Sequence, residues 1–231
     1  MRLNLLGSLL IVAGVLSACG GGGGGAAAPV ASTSAFPLNT IWTNVYTTAA
    51  SNNYTISGTV NGVSVTGSGT ATFGNVSAGT FESIAGFQRT TTATGNVVAN
   101  GTTTPLNSSS IDWTDTNYAP TGESGGTDYV VVTGTPTIPA NVHVNDTGSL
   151  YTANRYSDNS KTGFRGTKTV TYVVEADTAT TALITLISVE KNSFGSTTAT
   201  NSSQVRVTPA GAFTRVKETL VESDTALTVQ Y

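Results

Sequence analysis

The amino-acid sequence predicts an all-β protein built from antiparallel strands that are joined by short hairpins. Apolar and polar residues alternate with a period of two in several segments, which is typical of strands with one buried and one solvated face. Asn-Gly pairs lie between neighbouring strand-like segments, and this dipeptide is the strongest short-range signal for a two-residue hairpin. Behind residue 35, no segment keeps a 3.6-residue apolar period long enough to predict a helix. We therefore expect an antiparallel meander that forms a barrel, a curved open sheet or a sandwich.

The clearest hairpin lies in Tyr54–Phe73, which reads YTISGTVNGVSVTGSGTATF. A type I′ turn at Asn61-Gly62 needs positive φ at both central residues, which Asn and Gly tolerate. A two-residue loop fixes the register of the flanking strands. The predicted register pairs Val60 with Val63, Ile56 with Gly67 and Tyr54 with Gly69. Serine and threonine occupy the other face, so we expect one wet face and one apolar face.

A second hairpin is predicted where Asn100-Gly101 joins a strand over Gln88–Ala99 to one over Thr102–Asn107. Pro105 lacks the N–H of a central strand and places its strand at an edge or a bulge. The segment Leu183–Glu190 is apolar on both faces, which predicts the most buried strand. Further strands are predicted at Tyr129–Thr133, Leu150–Tyr156, Thr167–Ala176, Ala182–Lys191, Thr198–Thr208, Phe213–Val221 and Ala226–Gln230. We expect one β domain over residues 36–231; the polar stretch 114–127 is the place where two smaller sandwiches would divide.

The first 18 residues, MRLNLLGSLLIVAGVLSA, have the features of a secretory signal. Arg2 supplies a positive charge, and an apolar run follows from Leu5 to Leu16. This run is shorter than the roughly 20 apolar residues of a membrane-spanning helix. It is therefore interpreted as a removable signal peptide.

The four residues Leu16-Ser17-Ala18-Cys19 that end this segment resemble the lipobox of bacterial lipoproteins. The resemblance implies cleavage between Ala18 and Cys19, and attachment of diacylglycerol and a fatty acyl chain such as palmitate to Cys19. Because Cys19 is the only cysteine in the chain, lipidation leaves no thiol for catalysis, a disulfide or a zinc site. Gly20 at the following position favours the outer membrane under the sorting rule of many Gram-negative bacteria.

Residues 19–35 read as the lipidated cysteine followed by a Gly- and Ala-rich tether. Flexible-chain scaling gives the 16 residues after Cys19 a root-mean-square reach of roughly 20–24 Å. The glycines do not form a phosphate-binding loop, because no Gly-Lys-Ser/Thr sequence follows them. The formal net charge is −3, and losing Arg2 with the signal makes it −4. Without a basic cluster, nucleic-acid binding is not expected.

Two acidic motifs are interpreted as turns. Asp146-Thr-Gly-Ser149 matches the loop of aspartic proteases, but that chemistry needs two carboxylates and no second Asp-Thr/Ser-Gly occurs. The segment Asp158–Gly163 resembles the start of an EF-hand loop, but Thr169 stands where a bidentate glutamate is required. We expect no metal and no cofactor, and a weak surface calcium site in the Asp158 loop is the alternative.

The remaining candidates for catalysis are weak. His143 is the only histidine, and no Gly-x-Ser-x-Gly motif presents a serine to it. A glycosidase-like carboxylate pair would have to come from residues in or beside one polar loop, namely Asp112, Asp115, Glu123 and Asp128. We therefore expect a non-catalytic protein. A hydrolase, the less favoured alternative, would place His143 or an Asp pair at the base of a cleft.

Five aromatic residues are candidates either for the core or for stacking on sugars and lining an apolar pocket: Trp42, Trp113, Tyr118, Tyr151 and Tyr156. We expect a lipid-anchored envelope protein that is a binding or structural module. Its partners would be the membrane, through the anchor, and an envelope protein, a glycan or a small apolar ligand. A lipocalin-like carrier is the alternative, and it predicts an apolar cavity of several hundred Å³.

Overall fold

The structure is a computed structural model that describes residues 28–125 and 128–231. It shows a closed antiparallel barrel of twelve strands with one additional strand, so the all-β prediction is confirmed and the barrel is the form adopted. The predicted signal peptide, the lipidation residue Cys19 and the glycine run of the tether lie outside the described residues. Within the described ranges, no helix is long and apolar enough to cross a membrane.

Within residues 28–125 and 128–231, one helix precedes thirteen strands. The elements are α1 (Leu38–Thr47), β1 (Ala50–Val60), β2 (Val63–Phe73), β3 (Ser77–Phe81), β4 (Ile84–Ala99), β5 (Thr102–Asp115), β6 (Pro120–Gly125), β7 (Asp128–Thr133), β8 (Thr147–Tyr156), β9 (Phe164–Thr178), β10 (Thr181–Asn192), β11 (Thr197–Val207), β12 (Phe213–Glu222) and β13 (Thr225–Gln230).

All the strands belong to one sheet in the order β2-β1-β13-β12-β11-β10-β9-β8-β7-β6-β5-β4-β3. Pairing of β2 with β4 closes the ring, and β3 continues beside the first part of β4 as the extra strand. The polar stretch 114–127 contains β6, which pairs with β5 and β7 in the wall of the barrel. This stretch therefore does not separate two sandwiches.

Both predicted Asn-Gly hairpins are confirmed. Asn61 and Gly62 have φ values of 51° and 73°, and Asn100 and Gly101 have 49° and 73°. The β1–β2 register is the predicted one, with Val60 opposite Val63 and Tyr54 opposite Gly69. Strand β5 pairs with β6 only over its last part, Ser110–Thr114. Pro105 therefore lies where β5 has a partner on one side only, as expected for an edge position.

The two faces of the wall differ as the alternation predicts. Tyr54 and Ile56 point into the barrel and are buried, whereas the intervening Thr55 and Ser57 are exposed. The interior contains two apolar clusters, one around Val170 and Ile184 and the other around Ile56 and Leu227. Strand β10, predicted to be the most buried, has a single exposed residue, Lys191. The buried residues also include four charged side chains that the alternation did not predict, namely Arg89, Lys168, Glu190 and Glu218.

Helix α1 corrects the expectation that the domain has no helix. Its buried residues Leu38, Ile41 and Tyr46 lie on one side of ten residues, LNTIWTNVYT. Asparagine, threonine and β-branched residues have low helix propensity, and a helix this short is marginal on its own. Leu38 and Ile41 pack on the interior cluster around Val170. Tertiary burial, rather than propensity, therefore stabilises α1.

Residues before the predicted domain boundary at residue 36 also contact the barrel. The Val30 N–H donates to the Asp177 carbonyl at 3.2 Å, and Phe36 exchanges backbone hydrogen bonds of 2.8 and 2.9 Å with Val142. Ser32 between them is buried. The last residues of the predicted tether, from Val30 onward, therefore lie against the barrel.

The antiparallel ring separates the connections into two sets. We call the end with the tight turns at 61–62, 100–101, 193–196 and 223–224 the hairpin end. The opposite end, which we call the capped end, carries α1 and the connections 116–119, 134–146 and 208–212. Asp177, which Val30 contacts, belongs to the last residues of β9. The chain from the N-terminus therefore reaches the barrel at the capped end.

Candidate functional site

Helix α1 is fastened across the capped end by hydrogen bonds to each of its three connections. The Asn39 N–H donates to the Pro139 carbonyl at 3.1 Å. Trp42 donates through Nε1 to the Tyr118 carbonyl at 3.1 Å, and Asn44 donates through Nδ2 to the Gly211 carbonyl at 3.0 Å. The two side-chain hydrogen bonds join residues that are 76 and 167 positions apart in the sequence. The helix and loops therefore form one cap, which bears two cavities.

The first cavity, which we call the inner cavity, lies between α1 and the barrel interior and has a volume of about 90 Å³. Its apolar wall includes Ile41, Trp42, Tyr151 and Ile184, and its charged side includes Arg89 and Glu123. An apolar pocket with a few convergent polar groups is the usual form of a small-molecule site. This cavity is, however, well below the roughly 300 Å³ at which such sites begin.

Two arginines hold the C-terminal end of α1 from inside the barrel. Arg89 donates through Nη1 to the carbonyls of Val45 at 2.6 Å and Tyr46 at 3.0 Å, and Nη2 lies 3.1 Å from Asp112 Oδ2. The last carbonyls of a helix have no partner within the helix and carry partial negative charge, so buried cations stabilise them. Arg215 also faces the Val45 carbonyl, at 3.4 Å. The charges of this region therefore fix the cap.

Arg215 is half-buried and packs on the same aromatic ring as Arg89. Its guanidinium lies 3.6 Å from the centre of the Phe73 ring, and Arg89 lies 5.6 Å from the same ring. Burial, with the neighbouring charge of Arg89, lowers the pKa of Arg215 to about 10. The guanidinium remains charged at neutral pH, and stacking on Phe73 adds a cation–π contact.

The best geometric match to a catalytic carboxylate pair is Asp112 with Glu123. The two residues are direct neighbours across β5 and β6 and point into the barrel. Lys168 donates through Nζ to both oxygens of Glu123, at 2.8 and 2.7 Å. Burial raises the pKa of Glu123 although Lys168 opposes the shift. For Lys168, burial lowers the pKa, but the carboxylates of Glu123 and Glu190 outweigh it and the net shift is upward.

Each of these two carboxylates is therefore bound by a buried cation. A glycosidase needs one carboxyl group that releases a proton and a second that is free to attack or activate water, with room for a sugar between them. Asp112 is occupied by Arg89 and Glu123 by Lys168. The arrangement stabilises the inside of a barrel that is too wide for apolar side chains alone to fill, since about eight strands already enclose a side-chain-filled interior.

The other two carboxylates predicted beside the polar loop are separated from this pair. Asp128 binds Arg155 and, at 3.0 Å, Arg165. Asp115 accepts the N–H groups of Asn117 at 2.8 Å and Ala119 at 2.9 Å and so shapes the 116–119 turn. Neither carboxylate joins a site for bond cleavage.

Glu218 is a further buried acid. It accepts a 2.9 Å hydrogen bond from the Tyr231 hydroxyl and forms no ion pair among the described residues. Burial raises the pKa of Glu218 to about 7, opposed by the Tyr231 hydrogen bond and the Arg215 charge. Sequence reasoning had no signal for this residue beyond its place in a predicted strand.

The second cavity, which we call the outer cleft, opens on the surface of the cap and has a volume of about 430 Å³. It lies between α1, the 116–119 turn and the start of the 134–146 loop. Every side chain that lines it is uncharged. Its main polar and aromatic residues are Asn39, Trp42, Thr43, Asn44, Asn117 and Tyr118.

Trp42 separates the two cavities, because its side chain lines both of them. The bond from Nε1 to the Tyr118 carbonyl holds the ring, and the buried Tyr151 packs against it edge-on at 6.5 Å. Tyr118 is itself stacked on Phe87 at 4.8 Å, with 13° between the ring planes. Its backbone has φ of 63°, which is uncommon for a bulky residue and is found where surrounding contacts impose it.

Of the five aromatic candidates, two lie at the cap, one is in the core and two are half-buried in strands of the barrel. Trp42 and Tyr118 line the outer cleft. Tyr151 is buried in the apolar cluster around Val170, Trp113 stacks on Phe81 at 5.5 Å, and Tyr156 packs on Phe164 at 5.8 Å. The polar cleft residues of α1, unlike Trp42, were not predicted, because the helix itself was not predicted. The available signal for the helix was Pro37 followed by apolar residues at positions 38 and 41.

Of the two predicted turn motifs, Asp158–Gly163 is a loop in the structure, whereas the other is a turn only at its first residue. Thr147, Gly148 and Ser149 begin strand β8, and Asp146 closes the turn that precedes it. The Asp146 carboxylate accepts the His143 N–H at 2.8 Å, and the His143 side chain is 59% exposed. Asp158 accepts the Ser160 N–H at 2.9 Å in the exposed β8–β9 loop. Within residues 28–125 and 128–231, no group of three or more His, Cys, Asp or Glu could hold a metal ion.

Comparison with protein-family models, with curated proteins and with solved structures finds no match to this chain.

Proposed function

We propose that the protein is a lipid-anchored bacterial envelope protein and that its barrel is a non-catalytic binding module with the binding site at the capped end. The outer cleft carries the binding role. Its volume of about 430 Å³ is in the range of small-molecule sites, roughly 300–1,000 Å³. It also combines aromatic and hydrogen-bonding side chains that are fixed by contacts to the rest of the cap.

The anchor follows from the sequence. Leu16-Ser17-Ala18-Cys19 resembles a lipobox, and Gly20 favours the outer membrane. Two or more acyl chains bind a bilayer stably, because each buried methylene contributes about 0.8 kcal/mol. The first described contact of the chain with the barrel, Val30 with Asp177, is at the capped end. The outer cleft would then lie at the same end of the barrel as the attachment of the tether.

The charges inside the barrel favour a structural role for the interior. Asp112 and Glu123 are bound by Arg89 and Lys168, and Arg155 binds Glu190 at 2.8 Å. Buried charges that are paired stabilise one arrangement of a wide interior, whereas a reaction centre needs a group that is free to exchange a proton with a bound molecule. Glu218, the buried acid without an ion pair among the described residues, is hydrogen-bonded to Tyr231 and lines neither the inner cavity nor the outer cleft. The function is accordingly assigned to the surface of the cap.

The lipocalin-like alternative requires an apolar cavity of several hundred Å³ inside the barrel. The interior beside α1 instead has about 90 Å³ and is bordered by Arg89, Asp112 and Glu123. This arrangement favours a surface binding module over a carrier of apolar ligands.

The anchor is tested by labelling cells that produce the protein with radioactive palmitate and separating membranes from the soluble fraction. The wild type should carry the label and sediment with membranes, whereas Cys19→Ser should carry none and remain unprocessed or become soluble. A Cys19→Ser protein that is processed and membrane-bound would overturn the anchor.

The binding role is tested by a thermal-shift screen of the detergent-solubilised protein against neutral, anionic and apolar small molecules. Ala119 lines the cleft and contributes only backbone groups to the turn: its N–H donates to the Asp115 carboxylate and its carbonyl accepts the Asp115 N–H. Ala119→Leu should therefore fill the cleft without removing a hydrogen bond. Ala226→Leu, on the exposed face of β13, is the matched control. At least one compound, whatever its class, should raise the melting temperature of the wild type and of the control but not that of Ala119→Leu. If no compound shows this pattern, the cleft is not a binding site.

A further inference from the structure

We propose that the outer cleft binds a neutral carbohydrate, a mono- or disaccharide unit of an envelope glycan. This inference rests on the proposed binding function and names its ligand class. The inference rests on three properties of the cleft: its uncharged lining, its free hydrogen-bonding groups and its aromatic surface.

The absence of charge from the cleft lining points to a neutral ligand. All of its lining side chains are uncharged, and the nearest carboxylate in sequence, Asp115, already accepts the backbone N–H groups of Asn117 and Ala119. An ionic ligand bound away from water without an opposite charge is strongly disfavoured. A hydroxyl-rich neutral ligand has no such penalty when each hydroxyl finds a partner.

The cleft offers donors and acceptors that the fold leaves unused. The Asn117 side chain forms no hydrogen bond among the described residues, and Asn44 uses Nδ2 on the Gly211 carbonyl but leaves Oδ1 without a protein partner there. Each amide has two donor hydrogens and an acceptor oxygen, so adjacent amides match the mixed donor and acceptor character of sugar hydroxyls. The side-chain oxygen Oδ1 of Asn39 accepts the N–H and the hydroxyl of Thr40, and the side-chain nitrogen Nδ2 has no partner within the described ranges.

Trp42 gives the cleft a rigid aromatic wall. Sugar rings present a face of C–H groups that packs on an aromatic ring, while their hydroxyls point sideways to polar groups. The Trp42 ring is immobilised by Tyr118 and Tyr151, so little side-chain freedom is lost when a ligand packs on it. Three asparagines and an aromatic ring around one opening therefore favour a carbohydrate over an apolar molecule, which would leave those amides unpaired.

The test is a fluorescence titration of the detergent-solubilised full-length protein. The chain has two tryptophans, and Trp113→Phe leaves Trp42 as the only reporter. The probes are glucose, galactose, N-acetylglucosamine, cellobiose, lactose and chitobiose, at millimolar concentration. At least one should shift the Trp42 emission and saturate. Sodium phosphate and the uncharged peptide N-acetyl-trialanine amide serve as the anionic and peptide comparisons.

Asn117→Ala in the same background should weaken binding of the active sugar about fivefold to tenfold, the effect of losing a hydrogen bond or two. Asn107→Ala, which removes an exposed asparagine from β5, should leave the affinity unchanged. If no sugar gives a saturable shift, the carbohydrate proposal is wrong. A shift with phosphate or the peptide alone would also overturn it but would leave the binding module in place, whereas failure of every class in the thermal-shift screen overturns both.

Discussion

The two ends of the barrel are built by different means. At the hairpin end, neighbouring strands are joined by tight turns such as Asn61-Gly62 and Asn100-Gly101, where two residues decide the geometry. At the capped end, α1 and the loops 116–119, 134–146 and 208–212 are held together by contacts between distant parts of the chain. The structure of the hairpin end is therefore determined by neighbouring residues, whereas that of the capped end is determined by tertiary contacts. Both cavities lie at the capped end.

The largest expected difference between the ends concerns their charged groups. Arg89→Met at the capped end would leave Asp112 and the carbonyls of Val45 and Tyr46 without their buried partner. Breaking a buried ion pair by removing one member costs about 3–5 kcal/mol. We expect the free energy of unfolding in urea to fall by that amount. A loss below about 1 kcal/mol would show that Arg89 does not hold the cap.

The stability of the protein should also depend on pH through Glu218, the buried acid near Arg215. Glu218 has a pKa raised to about 7 from its ordinary 4.5. The folded protein therefore binds this proton more tightly than the unfolded chain does. The resulting stabilisation is complete below pH 4.5 and is lost as the pH rises through 7, a change of about 3 kcal/mol at 1.36 kcal/mol per pH unit.

This contribution is isolated by measuring urea unfolding of the wild type and of Glu218→Gln between pH 5 and pH 8. Glutamine keeps an acceptor for the Tyr231 hydroxyl and does not titrate. The wild type should lose more stability than the variant as the pH rises. Parallel curves for the two proteins would contradict the raised pKa.

A smaller effect is expected at the hairpin end. Gly62→Val places a β-branched residue at a φ of 73°, where a side chain would meet no neighbouring atom. The cost should therefore be conformational only, about 1–2 kcal/mol. Gly101→Val has the same φ and the same open surroundings, so the two variants should lose equal stability. Unequal losses in thermal unfolding would show that the two turns are not equivalent.

The smallest effect is expected for Arg165→Met, the counterpart of Arg89→Met. Arg165 is 43% exposed at the start of β9, and its partner Asp128 keeps Arg155. Exposed ion pairs contribute about 0–1 kcal/mol. Urea unfolding should therefore change by less than 1 kcal/mol, and a loss as large as that of Arg89→Met would remove the distinction between the two ends.

The sequence was informative where structure depends on neighbouring residues. The Asn61-Gly62 turn predicted the β1–β2 register pair by pair. The Asn100-Gly101 turn also fixes the register of β4 and β5. Arg89 and Asp112 are each eleven residues from the turn, so this register places them opposite each other. That ion pair was missed because the predicted strand ended at Asn107, whereas β5 continues to Asp115.

The cap could not be predicted in the same way. Leu38 and Ile41 form a helix because the barrel buries them, and their own segment has weak helix propensity. The outer cleft depends on Asn39 and Trp42 of α1 and on Asn117 of the 116–119 turn, which is distant from them in the sequence and shares no motif with them. Trp42 and Tyr118 were candidates for sugar stacking from the sequence, but only the folded chain brings them into one cleft.

The central claim is that α1 is a permanent cap, so that binding takes place on its outer surface and not inside the barrel. Amide hydrogen exchange of the folded protein tests this claim most directly. We predict that the Ile41 and Val45 amides of α1 exchange about as slowly as the amides of the interior strand β10, through global unfolding. If the α1 amides exchange orders of magnitude faster than those of β10, the helix opens on its own and a lipocalin-like carrier becomes the better account.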